Sequence, residues 1–232
     1  MNLHFCQLIV FKVSCIILNM PYLKKPNPTP EPIDCRILTA ALELFAKNGF
    51  HTVSIHQIQV QASVSIGSIY NHFGGKEGIA KALFDHVAIE FDEVVQDGMA
   101  MSEKPVAQCA EIIRLLFTYT DSHPYIISYI LNMRHADLLA NQPSIYDTSG
   151  FIKISEIIKE GQARGEFLPL NDSVAFSSIF GSALRMIQMR LDGLIEQPLV
   201  ETLDDILMST FDGACTEKGL FMSHALNSER VA

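Results

Sequence analysis

The 232-residue chain is predicted to be all-α, and three observations carry that prediction. Apolar residues make up 48% of it and recur every three or four positions, with few runs of period two. Helix-opening signals punctuate it: an S-x-x-Q capping box at Ser54–Gln57, a second cap at Ser65, and prolines placed for a first helical turn at 105, 124 and 198. Glycines at 49, 74, 75 and 165 fall where the apolar stripes stop.

The elements follow in order. Residues 24–32, KKPNPTPEP, form a proline-rich arm that cannot be helical. A first helix is predicted over 33–48, with Ile37, Leu38, Ala41, Leu44 and Phe45 on its buried face and Phe50 folding back beyond Gly49. Two short helices come next. Ser54 and Gln57 box the first, with Val53 and Ile58 closing a hydrophobic staple over it. Ser65 caps the second, and Val64 and Ile69 repeat the staple. Ala62-Ser63-Val64 between them is too short for anything but a turn.

Lys76 opens a long helix to about Met99, striped by Ile79, Leu83, Val87, Phe91 and Val94. Further helices are predicted over Pro105–Ser122, Pro124–Leu139, Ser149–Arg164, Asn171–Leu191 and Pro198–Leu220, with a loop at 140–148 and a polar tail from Ser223.

Two short helices joined by a tight turn make a helix-turn-helix, whose second helix enters the DNA major groove. The stretch resembles the DNA-binding domain of the tetracycline-repressor (TetR) family of bacterial regulators. The matching residues are ILTAALELFAKNGFHTVSI at 37–55, then Val64-Ser65, Gly67, Ile69-Tyr70, His72-Phe73 and Lys76-Glu77. The resemblance covers residues 33 to about 88; beyond that it is one of length and helical pattern. Ser63 stands where the family usually has Gly, so the resemblance implies a positive φ there at a cost of about 1 kcal/mol, and Gln59 stands where a small residue commonly packs.

The domains are accordingly expected as a leader and arm at 1–32, a helix-turn-helix DNA-binding domain at 33–78, a helical effector-binding and dimerisation domain at 79–222, and a tail at 223–232. Base reading needs exposed polar side chains at the start of the second helix, which are Ser68, Asn71 and His72, with Gln57 and Gln61 from the helix before. Ser65 caps that helix, and Gly67 lets its backbone approach the duplex closely. The resemblance puts Tyr70 and His72 at the phosphate backbone. Ser54 is placed there too, through its helix N-terminus, where amides attract anions. Lys76 makes little sense for the helix dipole alone and is read as a phosphate contact. Phe73, Ile58, Val64 and Ile69 are read as core.

Net charge is −9, which at first argues against a nucleic-acid partner. Residues 1–88 hold seven basic and five acidic side chains, a net of +2, whereas the rest holds ten and twenty-one, a net of −11. Acidity therefore belongs to the second part, and the reading part should show a modest salt dependence. A helical protein-interaction adaptor that kept the fold but not DNA reading stays open on that ground. Five cysteines without C-x-x-C spacing argue for a reducing cytoplasm, with Cys109 and Cys215 as small buried hydrophobes rather than redox sensors. Residues 1–19 are apolar but lack a positive n-region and a cleavage site, so Met20 is taken as the start; a membrane-attached form is the alternative.

No G-x-S-x-G, H-E-x-x-H, P-loop or G-x-G-x-x-G stands in its structural context, so no enzyme is indicated, and no cofactor. His86 and Glu90 on one helix are too few for a metal site. The resemblance implies a homodimer, a double-stranded DNA operator and a small-molecule effector that releases a repressor. Phe176, Phe180, Ala183, Leu184 and Ile187, with Leu203, Leu207 and Phe211, are assigned to the dimer interface. Phe84, Phe117, Tyr119, Tyr125, Tyr129, Met133, His135, Phe151 and Phe180 are assigned to an adaptable effector pocket.

Overall fold

A computed structural model describes residues 32–132 and 145–220. The leader, the arm with Lys24 and Lys25, the expected pocket residues Met133 and His135, and the tail lie outside the described residues. The described chain is helical throughout: α1 (Ile33–Asn48), α2 (Ile55–Ala62), α3 (Ile66–Phe73), α4 (Lys76–Ala100), α5 (Pro105–Ser122), α6 (Pro124–Asn132), α7 (Ser149–Ala163), α8 (Asp172–Leu191) and α9 (Leu203–Ala214). Short 3₁₀ turns at Ile145–Asp147 and Leu199–Thr202 precede α7 and α9. None of these helices is long and apolar enough to cross a membrane.

The described residues up to Glu90 form one compact unit, and Phe91–Leu131 with 145–220 form another. The division falls inside α4 rather than at residue 78, because the stripe of α4 continues unbroken past that point: Ile79, Leu83, Val87, Phe91 and Val94 are all buried.

In the first unit α1 packs on α2 and α3. Ile37, Leu38, Ala41 and Phe45 face inward, and the Phe45 and Phe50 rings meet at 5.2 Å beyond the Gly49 stop. In the second unit α5 is the most enclosed helix, and α7, α8 and α9 pack around it.

The last helix differs from expectation. It starts as a 3₁₀ turn after Pro198, runs as α9, and breaks at Cys215, whose extended backbone pairs with Phe167 as an isolated antiparallel bridge. Thr216 N–H then donates to Glu166 O (3.0 Å), so the segment after α9 is held by backbone bonds that a continuous helix would not leave available. Gly219 sits against the same carbonyl: a Cβ there would stand 2.1 Å from Glu166 O.

The expected dimer stripe is also corrected. Phe180, Ala183, Ile187, Leu203, Leu207 and Phe211 are buried inside a single chain, and Phe176 and Leu184 are half-buried there. An apolar stripe reports that a face is covered, not which chain covers it; here α8 and α9 cover each other and α5. Their outward faces carry Val174, Gly181, Arg185, Met208 and Gly213 instead.

Candidate nucleic-acid interface

The reading helices are only eight residues each, too short to persist without help from their ends. Both ends are supplied. Ser54 Oγ accepts from the Gln57 N–H (3.3 Å) while Gln57 Oε1 accepts from the Ser54 N–H (2.8 Å), completing the capping box of α2. Ser65 Oγ accepts from the Ser68 N–H at 3.0 Å and opens α3. Val53, Ile58 and Ile69 are fully buried, while Val64 and Phe73 are half-buried rather than core.

Ser63 adopts φ 53° and ψ 47°, the left-handed conformation expected of it. The Arg36 guanidinium donates to the carbonyls of Ala62 and Ser63, each at 2.5 Å, and so caps the end of α2 from α1. Sequence reasoning missed Arg36. No local signal marks it, since the carbonyls it holds lie 26 and 27 residues further along the chain.

With Ile69 buried, α3 turns the other way Tyr70 (53% exposed), Asn71 and His72, with Gly67 exposed at its start. Ser68 is half-buried and its hydroxyl is 2.8 Å from that of Ser65, so it serves the cap as well as facing outward. Gln57 is engaged in its capping box, and Gln61 donates to Glu43 Oε2 at 2.7 Å. Both side chains are exposed, and both must exchange a partner to touch a base.

Lys76 is placed differently from a free phosphate ligand. Its ammonium donates to Phe50 O (2.9 Å) and Val53 O (2.8 Å) and stands 4.2 Å from the centre of the Phe50 ring. It ties the first turn of α4 to the loop between α1 and α2. The remaining described cations of this unit are also engaged: Lys47 with Glu43 (2.6 Å) and Lys81 with Asp85 (3.0 Å). Those two pairs are exposed and readily exchanged. The Arg36 and Lys76 contacts hold the backbone itself.

The second unit contains a small apolar cavity of about 30 Å³. Of the expected lining, Phe151 and Phe180 are there; Phe91, Leu116, Ile127 and Ile154 complete much of the wall. Phe117, Tyr119 and Tyr129 are buried in the core away from it, Tyr125 is exposed, and Phe84 belongs to the first unit. The half-buried dimer-stripe residues Phe176 and Leu184 line this pocket. Helical periodicity marks a residue as inward-facing without saying whether it meets a neighbour or a void.

Cys35, Cys109 and Cys215 are buried and form no disulfide with one another. Burial, more than the neighbouring Cys215 and Glu166, pushes the Cys109 thiol far up. Burial, ahead of Glu166 and Asp212, likewise raises Cys215 to about 12. Both stay protonated, which removes the thiolate that a redox sensor needs.

The first unit is a capped helix-turn-helix, and the second is a separate helical unit. The model of the tetR family of bacterial regulatory proteins matches residues 37–83. The fatty acid metabolism regulator protein of Bacillus subtilis is 29% identical over 150 residues, 63% of this chain and 77% of that protein. The transcriptional regulator UidR of Escherichia coli is 42% identical over 53 residues, 23% of this chain and 27% of that protein. A TetR-family regulator from Marinobacter aquaeolei superposes with a TM-score of 0.69 at 18% identity, over 80% of this chain and 96% of that one. FadR of Bacillus subtilis, in complex with stearoyl-CoA, superposes with a TM-score of 0.60 at 22% identity, over 77% and 98%. Residues 37–83 are thus a DNA-binding domain of the tetR type, and the chain is similar over most of its length to transcriptional regulators that carry it.

Proposed function

We propose that the protein is a cytoplasmic homodimeric repressor that occupies a palindromic operator and leaves it when an apolar effector fills the pocket of the second unit. The observation that carries the DNA half is the outward face of α3. Tyr70, Asn71 and His72 are exposed while Ile69 beneath them is buried, so the helix presents polar side chains on a fixed support. Asn71 reads a base, and Tyr70, His72 and the N-terminus of α2 at Ser54 hold phosphates. Lys76 supports them by fixing the loop that leads into α2.

The effector half rests on the pocket wall, which exposes no polar surface, and on the relative solved with stearoyl-CoA. Phe91 belongs both to that wall and to α4, so an occupant that shifts Phe91 shifts the helix that begins beside the reader. In a dimer the half-sites repeat about every 34–36 Å, and a displacement of a few ångströms weakens simultaneous engagement. The two copies meet through the outward faces of α8 and α9.

Selection of genomic fragments by the purified protein at physiological salt tests this. Enrichment of one palindrome is the expected result, and no enrichment by a folded dimer would overturn it. Tyr70→Ala then lowers affinity for all sequences alike, whereas Asn71→Ala changes which sequence is preferred. A uniform loss with Asn71→Ala would remove its base contact.

A further inference from the structure

The polar side chains of the reader divide into those already engaged and those that are not. Gln57 is held in its capping box, Gln61 donates to Glu43, and the Ser68 hydroxyl lies 2.8 Å from that of Ser65. Asn71 is exposed, and among the described residues its amide makes no hydrogen bond. It keeps an acceptor oxygen and a donor NH2 group ready for a partner.

The place of Asn71 on α3 decides what it meets. At about 3.6 residues per turn, Gly67 and Asn71 stand about 160° from Ile69, one on either side of the line opposite it. Ile69 is fully buried, so these two positions form the ridge of α3 that stands furthest from the core. Tyr70 and Ser68 stand about 100° from Ile69 and flank that ridge. Gly67 has no side chain, which leaves Asn71 as the ridge's side chain. An asparagine amide is one methylene from its backbone and reaches a groove floor only where the helix comes close. Gly67 permits that approach. Packing within the chain does not call for glycine there: its φ is not positive, and a Cβ would meet nothing nearer than Ser65 Oγ at 3.7 Å. The clearance lies on the outward side.

We propose that Asn71 pairs with an adenine in each half-site, its amide spanning N7 and N6, and that Gly67 sets the depth at which it does so. This rests on α3 being the reading helix. In the major groove adenine presents an acceptor at N7 beside a donor at N6. Guanine presents two acceptors, cytosine a donor, and thymine an acceptor beside a methyl group. A carboxamide therefore satisfies both its donor and its acceptor only on adenine.

Fluorescence anisotropy at one fixed salt concentration, with the palindrome returned by genomic selection, tests this. Replacing one adenine per half-site by 7-deazaadenine keeps base pairing and turns the N7 acceptor into C–H. At one position this is expected to weaken binding by the native chain about tenfold. Asn71→Ala binds more weakly and no longer distinguishes the two duplexes there. Gly67→Ala is expected to unfold in urea no earlier than the native chain and to lose the same distinction, a combination that damage to the fold does not produce. Sensitivity that survives Asn71→Ala would give the adenine to another residue and overturn the pairing. Sensitivity that survives Gly67→Ala would overturn the role of the glycine. A palindrome indifferent to the replacement at every adenine would overturn the proposal while leaving α3 as the reader. No palindrome from a folded dimer would overturn the reading helix itself, and the proposal with it.

Discussion

In the first unit, eight-residue helices are held by side chains that bond to backbone at named atoms. Arg36 holds the end of α2, Lys76 holds the loop ahead of it, and Ser54, Gln57 and Ser65 close the helix starts. In the second unit, helices of up to 20 residues are held mostly by apolar burial, with isolated ties such as Arg190 to Asp121 at 2.7 Å. Directional bonds fix the ends of helices too short for packing alone to hold, whereas longer helices are held by the apolar faces they bury.

The comparison breaks most visibly in the core of the second unit. Phe211 is 1% exposed while Met208, one turn away on α9, is 56% exposed. Phe211→Ala should cost about 3–5 kcal/mol in urea unfolding, as a large buried ring does. Met208→Glu should leave that stability nearly unchanged and instead promote subunit dissociation in sedimentation. Dissociation caused by Phe211→Ala without loss of stability would return the inner stripe to the interface.

Lys76→Met is the matching test in the reader. Losing two carbonyl bonds and the contact with the Phe50 ring should cost about 2 kcal/mol. The slope of log affinity against log salt should stay as it was, because no phosphate contact is removed. A slope shallower by about 1, with stability intact, would show that Lys76 contacts phosphate after all.

Much of the reader was legible in the sequence because its devices are local. A capping box, a staple and a glycine stop each act within about five residues, so the bounds of α1, α2 and α3 follow from spacing alone. Arg36 was not legible, since its partners lie 26 and 27 residues away. In the second unit the starts of α5, α7 and α8 were legible from Pro105, Ser149 and Asn171, but the break at Cys215 was not. It depends on Phe167 and Glu166, which sit next to Cys215 only after folding. The same limit explains the dimer stripe and the pocket lining.

Ser63 is where the local and the assembled accounts meet. Its positive φ followed from the glycine that the family resemblance puts at this position, and Arg36 shows how the turn is held in place. Ser63→Gly should stabilise the chain by about 1 kcal/mol in thermal or urea unfolding, since only the backbone conformation is relieved. No gain, or a loss, would mean that the serine side chain contributes to the turn.

The smallest expected effect concerns pH. His123 ends α5, its ring lies 4.7 Å from that of Tyr119, and its Nδ1 is buried without a hydrogen-bond partner. Burial lowers its pKa to about 4. Between about pH 6.5 and 4 the unfolded chain therefore binds a proton that the folded chain refuses, and stability falls as pH drops through that window. Because the ring is partly exposed, solvent screening limits the loss to about 1 kcal/mol. His123→Phe keeps the ring contact and should flatten the stability profile between pH 7 and 5. The residual slope belongs in part to His86, whose pKa burial also lowers against the opposing pull of Asp85 and Asp34. An unchanged profile in His123→Phe would show that the histidine is hydrated in the folded chain, and would place the acid sensitivity in the first unit, with His86.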